Sequence, residues 1–149
     1  MKRILLTLVA VFFAAASFAQ IEDPVKWSYA GKKVSSTEAV ILVKATVDEG
    51  WHIYSQNLKD GGPQPTKFTF SPGKNYTLIG KVAEPKPITK YESSFKMNVG
   101  YFENSVVFQQ KVKLKGAGPY VVKGKLEFMT CNDHKCLPPD EVEFSIPVK

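Results

Sequence analysis

The chain holds two cysteines, Cys131 and Cys136, within Met129-Thr130-Cys131-Asn132-Asp133-His134-Lys135-Cys136-Leu137-Pro138-Pro139. A pair this close can be bridged with little backbone movement, but the bridge closes a very small ring. On the loop-entropy model a ring of about six residues stabilises by only ~2 kcal/mol. A chain of 149 residues is long enough to bury a core without such a staple. A weak staple on a polar turn is better suited to a bond that opens and closes. The chemistry implied is thiol–disulfide exchange, in which a thiolate attacks a disulfide sulfur, forms a mixed disulfide, and is resolved by its neighbour.

The intervening residues carry mixed signals. His134 and Lys135 lie between the thiols, where a cation favours the nucleophilic thiolate, and Asp133 opposes them. His134 and Lys135 also read as part of an ordinary polar turn. Metal binding is a second possible chemistry, since Cys131, His134 and Cys136, with His52 as a remote fourth, are zinc- or copper-type ligands. Their spacing is tight for a tetrahedral site and a disulfide consumes two of them, so no metal and no cofactor is expected. A third reading stays open: a secreted interaction module whose disulfide is purely structural.

The compartment suits a disulfide. Lys2 and Arg3 precede an apolar run from Ile4 to Ala16, and Ser17-Phe18-Ala19 supplies the small residues of a cleavage site. Residues 1–19 are expected to be a signal peptide cut after Ala19, with residues 20–149 as the mature domain. The apolar run is too short to span a bilayer, and no later segment offers a membrane span. The mature protein is therefore expected in the periplasm or secreted, where disulfides persist, and as a monomer.

The formal net charge of +6 falls to +4 once Lys2 and Arg3 are gone. Lys111, Lys113 and Lys115 alternate, as do Lys123 and Lys125, so each set shares one strand face. No aromatic residues interleave them, which favours a solvated sheet face over a nucleic-acid surface. No nucleic-acid partner is expected.

The elements that must position the cysteines show period-two patterning almost throughout. Ala39, Ile41, Val43, Ala45 and Val47 alternate along one strand. Val106, Phe108, Val112 and Leu114 do so along another, interrupted by Gln110. Tyr120, Val122, Leu126 and Phe128 mark a third, and Val142, Phe144, Ile146 and Val148 the last. Shorter runs lie at 25–29, 51–55, 67–70 and 76–82, punctuated by Gly and Pro. Seven to nine short strands without a helix predict an all-β, antiparallel β-sandwich of one domain. Residues 84–100, with two prolines and a Ser-Ser pair, read as a long loop. Cys131 then ends a strand running from Tyr120 to Thr130, Asn132–Lys135 turn, and Cys136 starts the return. Trp27, Trp51 and most phenylalanines read as core.

Gly50-Trp51-His52-Ile53-Tyr54-Ser55-Gln56, Gly61-Gly62-Pro63-Gln64-Pro65-Thr66 and the cysteine–diproline stretch together resemble the N-terminal periplasmic domain of the DsbD thiol:disulfide interchange family. The resemblance runs from about Val25 to the end of the chain. It implies an immunoglobulin-like sandwich that relays electrons between a thioredoxin-like domain and acceptor proteins, with a cap loop whose aromatic ring covers the cysteines. It makes Cys131 and Cys136 the redox pair, with Cys136 attacking and Cys131 resolving. Tyr54 matches an aromatic residue lining the site, and His52 falls where the best-known members carry a second tyrosine. The segment around Lys90-Tyr91-Glu92-Ser93-Ser94-Phe95 takes the cap position, with Tyr91 or Phe95 as the covering ring and His134 beside the pair. The cysteines here stand one residue closer than in the best-known members. The chain ends at Lys149 without an electron channel or a thioredoxin-like domain, so a stand-alone relay is expected, or a sandwich with a changed task.

Overall fold

The alternating sequences form strands because every second side chain can be buried while the others stay in water. The computed structural model describes residues 22–149, so the leader expected over 1–19 lies outside the described residues. Eleven strands follow in order: β1 (Val25–Lys33), β2 (Glu38–Val47), β3 (Trp51–Tyr54), β4 (Lys67–Phe70), β5 (Tyr76–Ala83), β6 (Ile88–Glu92), β7 (Met97–Phe102), β8 (Ser105–Leu114), β9 (Val121–Phe128), β10 (Thr130–Asn132) and β11 (Asp140–Pro147). No helix occurs among the described residues. Among the described residues one sheet has the order β1-β2-β8-β5, a three-stranded sheet the order β11-β9-β4 and a four-stranded sheet the order β10-β3-β7-β6. The strand ladders are antiparallel. The architecture is an immunoglobulin-like β-sandwich.

The core lies between the β1-β2-β8-β5 sheet and the β11-β9-β4 sheet. Ile41, Phe108, Val112, Val122 and Leu126 have no exposed surface. Burial of each such side chain contributes about 1.5–3 kcal/mol. Phe108 is the hub, with the rings of Phe68, Phe102 and Trp27 at 5.0, 5.8 and 6.3 Å. Lys111 and Lys113 point outward on β8, and Lys123 on β9.

Two breaks in the pattern have structural causes. Gln110 interrupts the apolar face of β8 because it fills a bulge in β5, where the register shifts between Ile79 and Ala83 and Gly80 takes φ +67°. Its buried amide donates to the carbonyls of Ile79 at 3.0 Å and Lys111 at 2.7 Å, which satisfies it. Gly124 falls on the inward face of β9 because β4 and Phe144 press against it. A Cβ there would lie 2.5 Å from the Thr69 carbonyl oxygen and 2.7 Å from the Phe144 ring.

Two expectations are corrected. Within residues 84–100 only 84–87 and the turn at 93–96 lie outside strands; the rest belongs to the hairpin β6–β7, paired from Ile88↔Tyr101 to Glu92↔Met97. Four of the five β6 residues, Ile88 to Tyr91, are exposed, so an edge strand without a buried face leaves no alternation to read. The strand expected from Tyr120 to Thr130 breaks at Met129, and its two parts join different sheets. That break creates the site described next.

Candidate redox site

β9 ends with Phe128 in the main core, and β10 begins two residues later beside β3. The change of sheet carries the cysteines out of the main sandwich and onto a second, smaller cluster. Its buried members are Tyr54, Val99, Tyr101 and Cys131, with Leu58, Met97 and Met129 packed against them. Register is set by three cross-strand pairs: Thr130↔Ile53, Cys131↔His52 and Asn132↔Trp51. The Thr130 hydroxyl locks it by donating to the His52 carbonyl at 3.0 Å.

The turn follows from Asn132. Its side-chain oxygen accepts from the backbone N–H of His134 and of Lys135, both at 2.8 Å, an Asx-type turn. The Asn132 N–H donates to the Lys135 carbonyl and the Leu137 N–H to the Thr130 carbonyl, each at 2.9 Å. Cys131 and Cys136 thereby face each other in an isolated antiparallel bridge, disulfide-bonded, with Cα atoms 4.0 Å apart. Cys136 does not start a strand directly: Pro138 and Pro139 delay the return until Asp140. The two sulfurs differ in access, since Cys131 is 2% exposed and Cys136 is open to solvent.

A groove of about 420 Å³ opens over the disulfide, between the cysteine turn and the β6–β7 hairpin. His52 and Tyr54 form its floor, Tyr91 and Phe95 come from the hairpin, and His134 comes from the turn. The hairpin tip is held by hydrogen bonds from Phe95 N–H to the Glu92 carbonyl (3.2 Å) and Lys96 N–H to the Ser93 carbonyl (3.3 Å), with Lys96 at φ +53°. Tyr91 is 59% exposed, whereas Phe95 is half-buried. Lys90 Nζ reaches Asp133 Oδ1 at 3.6 Å, joining hairpin to turn.

The floor is anchored firmly. Thr66 Oγ1 donates to the Tyr54 carbonyl at 2.6 Å, and Ser55 N–H to the Gly100 carbonyl at 2.9 Å. The Glu84 carboxylate accepts from Ser55 Oγ, from Gln56 N–H at 2.9 Å and from Asn57 Nδ2 at 2.9 Å. Within the floor, His52 Nε2 lies 3.2 Å from Tyr54 Oη, with the two rings edge to face. Tyr101 packs against the other side of His52, its ring centroid at 4.9 Å. Burial lowers the His52 pKa, with Glu92 opposing, so the ring is neutral at neutral pH. Burial, reinforced by the Glu92 charge, pushes Tyr54 up to about 12. Burial and the nearby Glu103 raise Tyr101.

Tyr101 and the Glu84 clamp were not legible as site elements in the sequence. Tyr101 stands one residue past the segment read as a loop, and only its alternation with Val99 hints at a buried face. Among the described residues no three His, Cys, Asp or Glu side chains are grouped as a metal-ligand set, and the disulfide engages both sulfurs.

Fold and site define a sandwich that presents a disulfide under a hairpin. The family described as thiol:disulfide interchange protein DsbD, N-terminal, matches residues 23–147, and the chain belongs to it. No curated protein matches the chain. Among solved structures, the N-terminal periplasmic domain of ScsB from Proteus mirabilis is similar at TM-score 0.60 and 17% identity. The match covers 87% of this chain and 47% of that one, so the chain spans about half of the ScsB structure. The reduced DsbD N-terminal domain of Neisseria meningitidis is similar at TM-score 0.57 and 17% identity, over 89% and 92% of the two chains. The same domain in complex with the PilB N-terminal domain matches at TM-score 0.55 and 16% identity, over 88% of each. At these identities the likeness establishes the fold.

Proposed function

We propose that the protein is a thiol–disulfide relay of the periplasmic or secreted space, working through reversible opening of Cys131–Cys136. The observation that carries this reading is the asymmetry of the pair: one sulfur buried against an aromatic floor, the other exposed in a groove beneath a hairpin. In the reduced protein the Cys136 thiolate attacks a partner disulfide, forming a Cys136–partner bond and releasing the partner's second sulfur as thiolate. Cys131 then attacks Cys136, closing the internal disulfide and releasing the partner fully reduced. The reverse sequence recharges the relay from a reduced donor.

The partner fitting this chemistry is a thioredoxin-like protein, whose exposed active-site sulfur can enter the groove once the hairpin moves aside. Formation of a complex between a DsbD N-terminal domain and the PilB N-terminal domain supports that class of partner. The β6–β7 hairpin acts as the cap, with Tyr91 or Phe95 as its covering ring, and residues 1–19 act as the export signal of a single mature domain.

Equilibration with glutathione or dithiothreitol buffers tests the reading. A reduction potential above about −300 mV is expected, because inert structural bridges lie below it. A lower value assigns the protein to the alternative, a secreted interaction module with a structural disulfide.

A further inference from the structure

We propose that the His52 imidazole accepts the proton of the Cys131 thiol when Cys131 resolves the mixed disulfide, with Tyr54 as the residue that positions the ring. The inference rests on the exchange reading and deepens it.

Resolution requires a Cys131 thiolate, and its surroundings disfavour one. Cys131 is 2% exposed, in a cluster with Val99, Met97 and Met129. An apolar, buried thiol resists ionisation. Cys136 is exposed to solvent beside His134 and Lys135, whereas Cys131 has little contact with water. A buried thiol of this kind is served best by a base next to it.

His52 is that base by register. It is the residue directly opposite Cys131 across the β3–β10 ladder, where paired Cβ atoms lie roughly 4.5–5.5 Å apart on one face. Both side chains line the same groove. His52 is itself 7% exposed, held between Tyr101 and the Tyr54 hydroxyl. The charged and titratable groups around it are Tyr54 on its own strand, Cys131 on β10, Tyr101 on β7 with Glu103 beyond, Lys90 and Glu92 on β6, and Asp133 in the turn. Burial outweighs the three carboxylates and keeps the ring neutral, the form that can take a proton.

The step balances. The thiol proton moves to His52, and the Cys131 electron pair forms the bond to Cys136 Sγ. The bond from Cys136 to the partner sulfur breaks, its electron pair leaving on the partner. The proton then passes through the groove to the partner's departing thiolate. Two thiols of this protein have been oxidised and one partner disulfide reduced. In the reverse direction the imidazolium protonates Cys131 as it leaves the disulfide.

The test uses the fully reduced protein and an equimolar aromatic disulfide that releases a coloured nitrothiobenzoate at each step. The first release reports attack by Cys136, and the second reports resolution by Cys131. His52→Gln keeps a hydrogen-bonding side chain without a titrating ring. It is expected to slow the second release by at least about tenfold at neutral pH while changing the first by less than about twofold. In the wild type the second release should fall in acid with the same midpoint as the His52 ring titration followed by NMR. The protein has two histidines, so His134→Gln assigns the signals. An unchanged second release with the wild-type pH profile in His52→Gln overturns the proposal. So does a wild-type midpoint that departs from the His52 titration, a readout that stands even if the variant fails to fold. A wild type that gives no release at all removes the exchange reading itself, and this role with it.

Discussion

Lys90 on the hairpin and Asp133 between the cysteines form an ion pair of 3.6 Å that spans the groove over the disulfide. Their side chains are 51% and 80% exposed, so the pair contributes at most about 1 kcal/mol and is screened by salt. It is strong enough to bias the hairpin toward closure and weak enough for a docking partner to displace. Lys90→Ala, or salt near 1 M, where the Debye length is about 3 Å, should accelerate reaction of the disulfide with small thiols. Thermal unfolding should shift little. Equal rates at low and high salt would remove the latch from the mechanism.

The two candidate covering rings should not behave alike. Phe95 is half-buried whereas Tyr91 is largely in solvent. Phe95→Ala is expected to raise the rate with small thiols more than Tyr91→Ala does. Stability should fall by under about 1 kcal/mol in both, since a hairpin tip contributes few core contacts. A larger gain for Tyr91→Ala would make Tyr91 the cover.

Exchange of roles between the sulfurs is testable by trapping. Cys131→Ser leaves the exposed Cys136 without a resolving thiol, so a mixed disulfide with a thioredoxin-like protein should accumulate. It would appear as a band on a non-reducing gel that dithiothreitol abolishes. Cys136→Ser should trap far less, because its remaining sulfur is 2% exposed. Equal trapping by the two variants would contradict the assignment.

Glu84 is expected to matter to stability. Its carboxylate serves Ser55, Gln56 and Asn57 at the exit of β3 and leaves them without an acceptor when removed. Glu84→Ala should cost about 1–3 kcal/mol in urea denaturation. Phe108→Ala, at the hub of the core, should cost about 3–5 kcal/mol.

Burial of His52 and Tyr54 gives stability an acid and an alkaline limb. His52 has a folded pKa below its ordinary 6.5, so its unfolded form binds more protons. Its contribution is present above pH 6.5 and is lost as pH falls through the folded value. Tyr54 moves from 10.0 to about 12, so its contribution is present below pH 10 and is lost as pH rises toward 12. Thermal denaturation against pH should therefore show an acid limb that flattens in His52→Gln and an alkaline limb that flattens in Tyr54→Phe.

The sequence by itself determined the sandwich, because burial on one face writes period two into β2, β8, β9 and β11. It also determined the cysteine turn, because Asn132 and the diproline act on backbone within a few residues. It did not disclose β6, whose solvated face carries no alternation, nor the meaning of Gln110 and Gly124, which answer to partners on other strands. The break at Met129 is a local event with a distant consequence. It moves Cys131 from the sheet of β9 to that of β3, beside a residue 79 positions earlier in the chain. Only the tertiary structure decided that His52 would stand opposite Cys131, that Tyr54 would hold it, and that one sulfur would be buried and the other open. Long-range strand register sets those relationships, and no local pattern encodes it.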